Sequence, residues 1–209
     1  AILYRSNAQS RVFEEALNKR NMNYRIYGGL RFFERAEIKD AMGYVRLIEN
    51  TSDNIAFERI VNFPARGIGL STIEKIRLHS VENHTDLFQS SISIKDSLPS
   101  RASNALTNFI HLIESMRESV NNLDLSEKVD SILIQSGLMN HYLNDKTDKA
   151  GSKKENLEEL VTAAKQYIHE EESEMSETEG FIALATLDSS GDSKPCLLYT
   201  SDAADELRS

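Results

Sequence analysis

Tyr4 and Arg5 are the first residues in this sequence whose types suit a defined chemistry. They follow the short apolar run Ala1–Leu3 and precede Ser6 and Asn7, which favour a turn and a helix N-terminus. Ligands of open α/β sheets bind where strands end, so this order places an aromatic ring and a cation at a ligand-facing tip. The ring suits an aromatic base and the guanidinium suits a phosphate. The pattern therefore predicts one side of a nucleotide site.

A second phosphate-binding element is predicted at the sequence Asn-Phe-Pro-Ala-Arg-Gly-Ile-Gly, which ends at Gly69. Pro64 ends the preceding helix, and Gly67 and Gly69 permit positive φ and a close backbone approach. A new helix is predicted to begin at Ser71 or Thr72. A glycine turn before a helix N-terminus directs backbone N–H groups at a phosphate. The alternative is a tight connection between two helices, because Gly-x-Gly alone is a weak signal.

A third candidate is the run Leu30-Arg31-Phe32-Phe33-Glu34-Arg35. Two aromatic rings between Arg31 and Arg35 could stack on bases or sugars. Alternatively, Phe32 and Phe33 wedge a loop onto a sheet, as buried aromatic rings commonly do. The sequence leaves both alternatives open.

The elements that must position these residues begin with a β-α-β pattern. A strand is predicted up to Arg5, then a helix over Arg11–Arg20, then a strand over Tyr24–Tyr27 that is closed by Gly28–Gly29. The apolar residues that give this helix its spacing are Val12, Phe13, Ala16 and Leu17. Helical spacing then predicts helices over residues 36–49, 53–62, 71–82, 85–91, 102–120, 125–135, 138–143, 156–168 and 181–187.

The charge distribution separates the two ends of the chain. The net charge is −9, which by itself argues against a nucleic-acid binder. Residues 1–79, however, carry 13 Lys and Arg against 9 Asp and Glu, and most of these cations are arginines. Arginine offers a planar fork that suits phosphates, although a well-solvated helix surface would show the same composition.

Several site classes find no support in the sequence. The five histidines are scattered without ligand spacing, and no CxxC or HExxH motif predicts a metal site. Glu37 and Asp40 share a helix face but lack a paired acid, so no carboxylate dyad is predicted. The single cysteine, Cys196, fits a reducing cytoplasm, and no apolar run approaches the roughly 18 residues of a membrane span.

Two features predict that the chain is a piece of a longer protein. It starts on a strand without an initiator Met. Residues 194–209 break the helical pattern and resemble a translated sequencing adapter, so this tail is predicted to be non-native.

Taken in order, the three candidate sites resemble the bacterial UvrD/PcrA/Rep-type superfamily 1 DNA helicases. The residues that carry the resemblance are Tyr4–Arg11, Tyr24–Arg35 with Glu37–Asp40, and Asn62–Gly69. It continues more weakly through Glu155–Leu160. In that family the matching segment is the first part of the second RecA-like motor domain, followed by most of an inserted helical subdomain.

The resemblance implies a role for each candidate residue. Tyr4 would stack on the adenine of ATP, and Arg5 would reach the γ-phosphate as the catalytic arginine. Arg66, Gly67, Ile68 and Gly69 would contact the DNA backbone, and Arg31 and Arg35 would add further DNA contacts. The implied cofactors of the full-length parent are ATP and Mg²⁺. Its implied partners are single-stranded and duplex DNA and repair proteins.

These observations together predict a mostly α chain with a small parallel β piece. Residues 1–98 are expected to be an incomplete RecA-like α/β domain, and residues 99–193 an incomplete all-helical subdomain. The predicted parent is an ATP-dependent 3'–5' DNA helicase. Because the sequence contains no GxxxxGK[ST] loop, this chain alone is expected neither to hydrolyse ATP nor to unwind DNA. The alternative is a non-catalytic helical module whose acidic C-terminal half binds a protein.

Overall fold

The computed structural model of the chain describes residues 2–4, 9–22, 24, 31–144, 150–169 and 174–190. These residues form mostly helix, which confirms the predicted mostly α character. Two short 3₁₀ turns, Phe32–Glu34 and Lys95–Ser97, accompany the helices. The helices of the described residues are α1 Ser10–Asn18, α2 Ala36–Glu49, α3 Asn54–Ile60, α4 Leu70–Asn83, α5 Leu87–Ile94, α6 Ser100–Val120, α7 Leu125–Gln135, α8 Leu138–Leu143, α9 Ala150–Gln166 and α10 Glu177–Ser190.

The predicted parallel β piece is not shown by these residues. Residues 2–4 have no regular secondary structure, and the side chain of Leu3 is 94% exposed. Of the second predicted strand only Tyr24 is described, while residues 25–30 and the tail 194–209 lie outside the described ranges. A strand requires a hydrogen-bonded neighbour, and none is present among the described residues. Both strands therefore stay predictions.

Helix α2 is the centre of the helical packing. It contacts α3, α6, α7, α9 and α10. The sequence pattern predicted one apolar face, but Tyr44 and Leu47 are also fully buried. A helix that is surrounded on several sides buries more than the single stripe of a surface helix, so the predicted face was too narrow.

Gly43 allows α3 to pack closely against α2. A Cβ atom added at Gly43 would lie 2.8 Å from Cγ2 of Ile60. That distance is well inside van der Waals contact, so any larger residue would push the two helices apart. The spacing of α2 and α3 matters because the predicted DNA-contacting turn follows α3 directly.

Residues on both sides of position 98 belong to one hydrophobic cluster. The rings of Phe57 in α3 and Phe109 in α6 meet edge to face with centroids 5.8 Å apart. Arg117 in α6 donates from Nε to the carbonyl oxygen of Ile48 over 3.0 Å. The division into two domains near residue 98 stays a prediction.

Phe32 and Phe33 are buried, which confirms the packing alternative for these rings. Phe33 packs edge to face on Phe181 of α10, with centroids 6.3 Å apart. The surface beneath them is therefore helical, where the sequence analysis expected a sheet. Two end signals are also confirmed: Asp53 caps α3 by accepting from the backbone N–H of Ala56, and Gly137 follows α7 with φ of 81°.

The buried side of α1 is its polar side. The buried residues are Ser10, Arg11 and Glu14, whereas Val12 is 53% exposed. The helical period is right, but the polar side of α1 faces the protein. Partners in α9, far away in sequence, supply the hydrogen bonds that make this burial possible.

Candidate nucleic-acid interface

The predicted glycine turn lies on the surface between α3 and α4. Gly67 has φ of 81°, in the left-handed region that favours glycine, whereas Gly69 has φ of −80° and ψ of 164°. Both glycines are exposed, and a Cβ built at either would meet no atom within 4 Å. The backbone of this turn is therefore open to a ligand.

Helix α4 begins at Leu70, one residue earlier than the first predicted position, with Gly69 as its N-cap. Gly69 has no side chain to accept from the first turn, and Leu70 and Ser71 are exposed. The first N–H groups of a helix have no intrahelical acceptor, and they carry the positive end of the helix dipole. The geometry suits an anion at this end of α4.

The turn is held from beneath by the side chain of Asn62. Its Oδ1 accepts from the backbone N–H of Arg66 over 2.9 Å and from that of Ile68 over 3.1 Å. Ile68 itself is fully buried in the core cluster. Asn62 and Ile68 therefore fix the backbone on either side of Gly67.

Tyr44 of α2 adds a third restraint. Its hydroxyl donates to the carbonyl oxygen of Phe63 over 2.6 Å. Burial raises the pKa of Tyr44 to about 12, and the nearby Arg66 opposes this rise. The hydroxyl consequently stays protonated and available as a donor over the whole physiological pH range.

Arg66 points into the protein beneath the turn. Its guanidinium donates to the carbonyl oxygens of Ile60 over 3.3 Å, Pro64 over 3.0 Å and Ser136 over 2.9 Å. The same group lies 5.6 Å from the ring centroid of Tyr44 and 5.7 Å from that of Phe109. The DNA contact through this side chain stays a prediction, and the guanidinium already donates to three protein carbonyls.

Arg35 lies in a different cluster and shares no contact partner with Arg66. It is buried, and it donates to Ser10 Oγ over 2.6 Å and to Asn156 Oδ1 over 3.0 Å. Burial lowers the pKa of Arg35, although the carboxylates of Glu14 and Glu37 oppose that shift. This side chain therefore joins α1, α2 and α9.

Arg31 is half-buried, with its guanidinium 5.5 Å from the ring centroid of Tyr24. Its backbone N–H donates to the Glu34 carboxylate over 3.1 Å. These contacts of Arg31 differ from those that surround the glycine turn.

The sequence analysis missed the burial of Arg11. Its side chain is 2% exposed, pairs with Glu15, and donates to Glu159 over 2.6 Å and to Gln166 over 2.8 Å. Glu14 Oε1 is buried nearby without a hydrogen-bond partner among the described residues. No local pattern could have identified this cluster, because the principal partners of Arg11 lie 148 and 155 residues away.

The predicted nucleotide residues lie at the edge of what the structure describes. Tyr4 is half-buried, and its ring stacks on Phe13 of α1 with centroids 6.0 Å apart and an interplanar angle of 26°. Arg5 lies outside the described residues. Their pairing at one site stays a prediction.

Asp40 is the centre of a separate buried polar group. It forms an ion pair with Arg59 at 2.8 Å and accepts from the Tyr142 hydroxyl over 2.9 Å. Burial raises the pKa of Asp40 against the opposing effect of Arg59, and burial together with Asp40 raises that of Tyr142. Glu37 instead accepts from Asn156 over 2.5 Å. The two carboxylates therefore have separate partners.

The described part of the chain contains no group of three or more His, Cys, Asp or Glu side chains that could hold a metal ion. None of the helices there has the length and hydropathy that crossing a membrane requires.

Comparison with known proteins identifies relatives among DNA helicases. The chain is 46% identical to "DNA helicase II" of Escherichia coli over 191 residues, which are 90% of this chain and 26% of that protein. It is 44% identical to the protein of the same name in Haemophilus influenzae. It is 38% identical over 169 residues to "ATP-dependent DNA helicase PcrA" of Staphylococcus aureus, covering 80% of this chain and 23% of that protein.

The chain therefore spans about a quarter of the length of the curated relatives it matches. The family described as UvrD-like helicase C-terminal domain matches residues 1–196, which is nearly the whole chain. This match and the identities agree with the resemblance found in the sequence motifs. The chain belongs to the family of UvrD-like helicase C-terminal domains.

Proposed function

We propose that this chain is part of an ATP-dependent 3'–5' DNA helicase that couples ATP hydrolysis to movement along single-stranded DNA and to duplex unwinding. The observation that carries the proposal is the exposed Gly67–Gly69 turn at the uncapped N-terminus of α4. Backbone N–H groups at such a position bind phosphates without reading base sequence. A motor that moves along DNA needs contacts of this kind, because it must act on any sequence.

The DNA contact in this proposal is made by the backbone of Gly67 and Gly69 and by the first N–H groups of α4. The N–H of Ile68, which was also predicted to contact DNA, already donates to Asn62 Oδ1. The three arginines predicted to contact DNA have weaker geometric support. Arg35 is buried among α1, α2 and α9, Arg66 donates to three carbonyls, and Arg31 lies over the ring of Tyr24. The duplex and the single strand are proposed as ligands, and repair proteins as partners of the parent.

The ATP site is proposed to include Tyr4 and Arg5. Tyr4 would stack on the adenine, and Arg5 would stabilise charge on the transferring phosphoryl group, with Mg²⁺ bound elsewhere in the parent. The RecA-like character of the N-terminal part is supported by exposed apolar residues in and around α1. Val12 in the helix, and Leu3 and Met22 on either side of it, are at least half exposed, and a sheet could cover them. Residues 99–193 would then belong to an inserted helical subdomain.

Arg5→Ala in the full-length parent tests the ATPase part of the proposal. The expected result is a fall of about 10³-fold or more in kcat for ATP hydrolysis, with DNA affinity kept, because an arginine that neutralises transition-state charge acts on kcat. An unchanged kcat would favour the alternative, a non-catalytic module that binds a protein partner. The 209-residue chain itself is expected to show no DNA-stimulated ATPase, and measurable turnover by the purified chain would contradict this.

A further inference from the structure

Three side chains lie beneath the Gly67–Gly69 turn and none of them faces the open side of it. We infer that Arg66, Asn62 and Tyr44 are positioning residues that hold this turn in its DNA-binding shape, and that Arg66 acts there without touching DNA. The inference rests on the proposed DNA contact of the same turn. It assigns to Arg66 a role other than the phosphate contact that its position beside Gly67 in the sequence suggests.

The hydrogen bonds of Arg66 carry this inference. A guanidinium has five N–H donors, and three of its contacts here go to the carbonyl oxygens of Ile60, Pro64 and Ser136. It also lies within cation–π distance of the rings of Tyr44 and Phe109. To reach a phosphate it would have to give up all three of these contacts. The carbonyl of Ile60 would keep the Phe63 N–H as a donor, but losing the hydrogen bonds is costly for partly buried groups.

The carbonyls that Arg66 binds come from three different segments. Ile60 ends α3, Pro64 lies in the loop, and Ser136 lies between α7 and Gly137. The guanidinium therefore fixes the distance from the loop to the end of α7, a segment 70 residues away in sequence. Lysine cannot reproduce this geometry, since an ammonium group lacks the planar fork and cannot stack on aromatic rings in the same way.

Asn62 and Tyr44 act on the backbone of the same loop. Asn62 holds the N–H groups of Arg66 and Ile68, and Tyr44 holds the carbonyl of Phe63. Each of these hydrogen bonds reduces the number of conformations that the turn can adopt in the absence of a ligand. A loop that is ordered in advance loses less conformational entropy on binding, so these bonds are expected to increase DNA affinity.

Arg66→Lys separates positioning from direct contact, because it keeps the charge and removes the fork. The measurement is fluorescence anisotropy of a labelled short DNA duplex with a single-stranded tail, titrated with the 209-residue chain at fixed salt. Positioning predicts that Arg66→Lys and Arg66→Met both weaken binding by about tenfold or more, because both lose the preorganised turn. A phosphate contact predicts binding close to the native value for Arg66→Lys and a salt slope smaller by about one for Arg66→Met.

Arg117→Lys is the matched control. Arg117 also donates to a buried carbonyl, that of Ile48, but it lies away from the turn. It should lower the urea midpoint while leaving the DNA affinity unchanged. The inference is overturned if Arg66→Lys binds like the native chain, or if Arg117→Lys weakens binding as much as Arg66→Lys does.

Tyr44→Phe and two Asn62 variants keep the test decisive if the Arg66 variants do not fold. Tyr44→Phe removes only the hydroxyl and should weaken binding by about fivefold, the value of one hydrogen bond. Asn62→Ala should weaken it similarly and lower the urea midpoint, whereas Asn62→Asp should keep the native midpoint because its carboxylate accepts from the same two N–H groups. Native affinity in both Tyr44→Phe and Asn62→Ala would overturn the inference. If the native chain itself binds no DNA, the proposed function fails at this turn, a result that the variants cannot produce.

Discussion

Gly69→Ala should separate DNA binding from stability more cleanly than any other change in the turn. The φ of −80° and ψ of 164° at Gly69 are accessible to alanine, and the added Cβ would meet no atom of the protein within 4 Å. Neither the fold nor the packing therefore requires glycine here. A ligand that approaches the backbone closely would require it.

The expected magnitudes follow from this geometry. Replacing glycine by alanine stabilises where the backbone permits it, but alanine is a poorer N-cap, so the free energy of unfolding should change by less than about 1 kcal/mol. A methyl group between a phosphate and the first N–H groups of α4 should remove a charge-assisted hydrogen bond worth about 1.5–3 kcal/mol. That corresponds to about a ten- to hundredfold loss of DNA affinity. Gly67→Ala differs, because φ of 81° makes alanine cost about 1–2 kcal/mol of stability as well.

The assay pairs anisotropy titration of a tailed duplex with urea unfolding of the same preparations. Gly151→Ala is a suitable control, since Gly151 lies in α9 and an added Cβ there also meets no atom within 4 Å. It should leave DNA affinity unchanged and stability equal or slightly higher. Binding by Gly69→Ala within about twofold of the native chain would refute the close phosphate approach, because a missing hydrogen bond costs more than that.

Three further predictions concern stability. Burial raises the pKa of Asp40, so its proton is held to higher pH in the folded chain than in the unfolded chain, and its contribution to stability is present at low pH and lost as pH rises. The urea stability of Asp40→Asn relative to the native chain should therefore increase from about pH 4 upward. Parallel plots of urea stability against pH for the two proteins would contradict this. Gly43→Ala should lower the free energy of unfolding by about 1–3 kcal/mol, because the added Cβ would lie too close to Ile60. The slope of this free energy against urea concentration should not change. Arg11→Met should cost about 2–3 kcal/mol, below the range for a fully buried pair because Glu159 is partly exposed; an unchanged urea midpoint would show that the cluster is not stabilising.

Part of the candidate interface could be predicted from the sequence because its signals are local. Pro64, Gly67 and Gly69 restrict or permit backbone angles by their own covalent structure, so a glycine turn between two helices was predictable. The start of α4 differed by only one residue from the predicted one. The long-range partners of the turn were not predictable, because the Tyr44 hydroxyl comes from α2 and the Ser136 carbonyl oxygen from the end of α7.

The surroundings of the arginines also could not be predicted from the sequence. Arg31, Arg35 and Arg66 were all expected to contact DNA, because a guanidinium suits a phosphate. In the structure Arg35 and Arg66 enter separate clusters, and each donates to protein oxygens. Charge and donor count follow from residue type, but whether a guanidinium meets a phosphate or a carbonyl depends on which segments pack around it.

The sequence by itself determined the order of the helices, two of their end signals and the family, because helical period, caps and motif order are properties of neighbouring residues. Only the tertiary structure decided which side of α1 is buried. Its amphipathic pattern favoured Val12 and its apolar neighbours, yet Arg11 is the residue inside. Burying an arginine is favourable only when acceptors are already in place, and Glu159 and Gln166 reach it from α9, 148 and 155 residues along the chain.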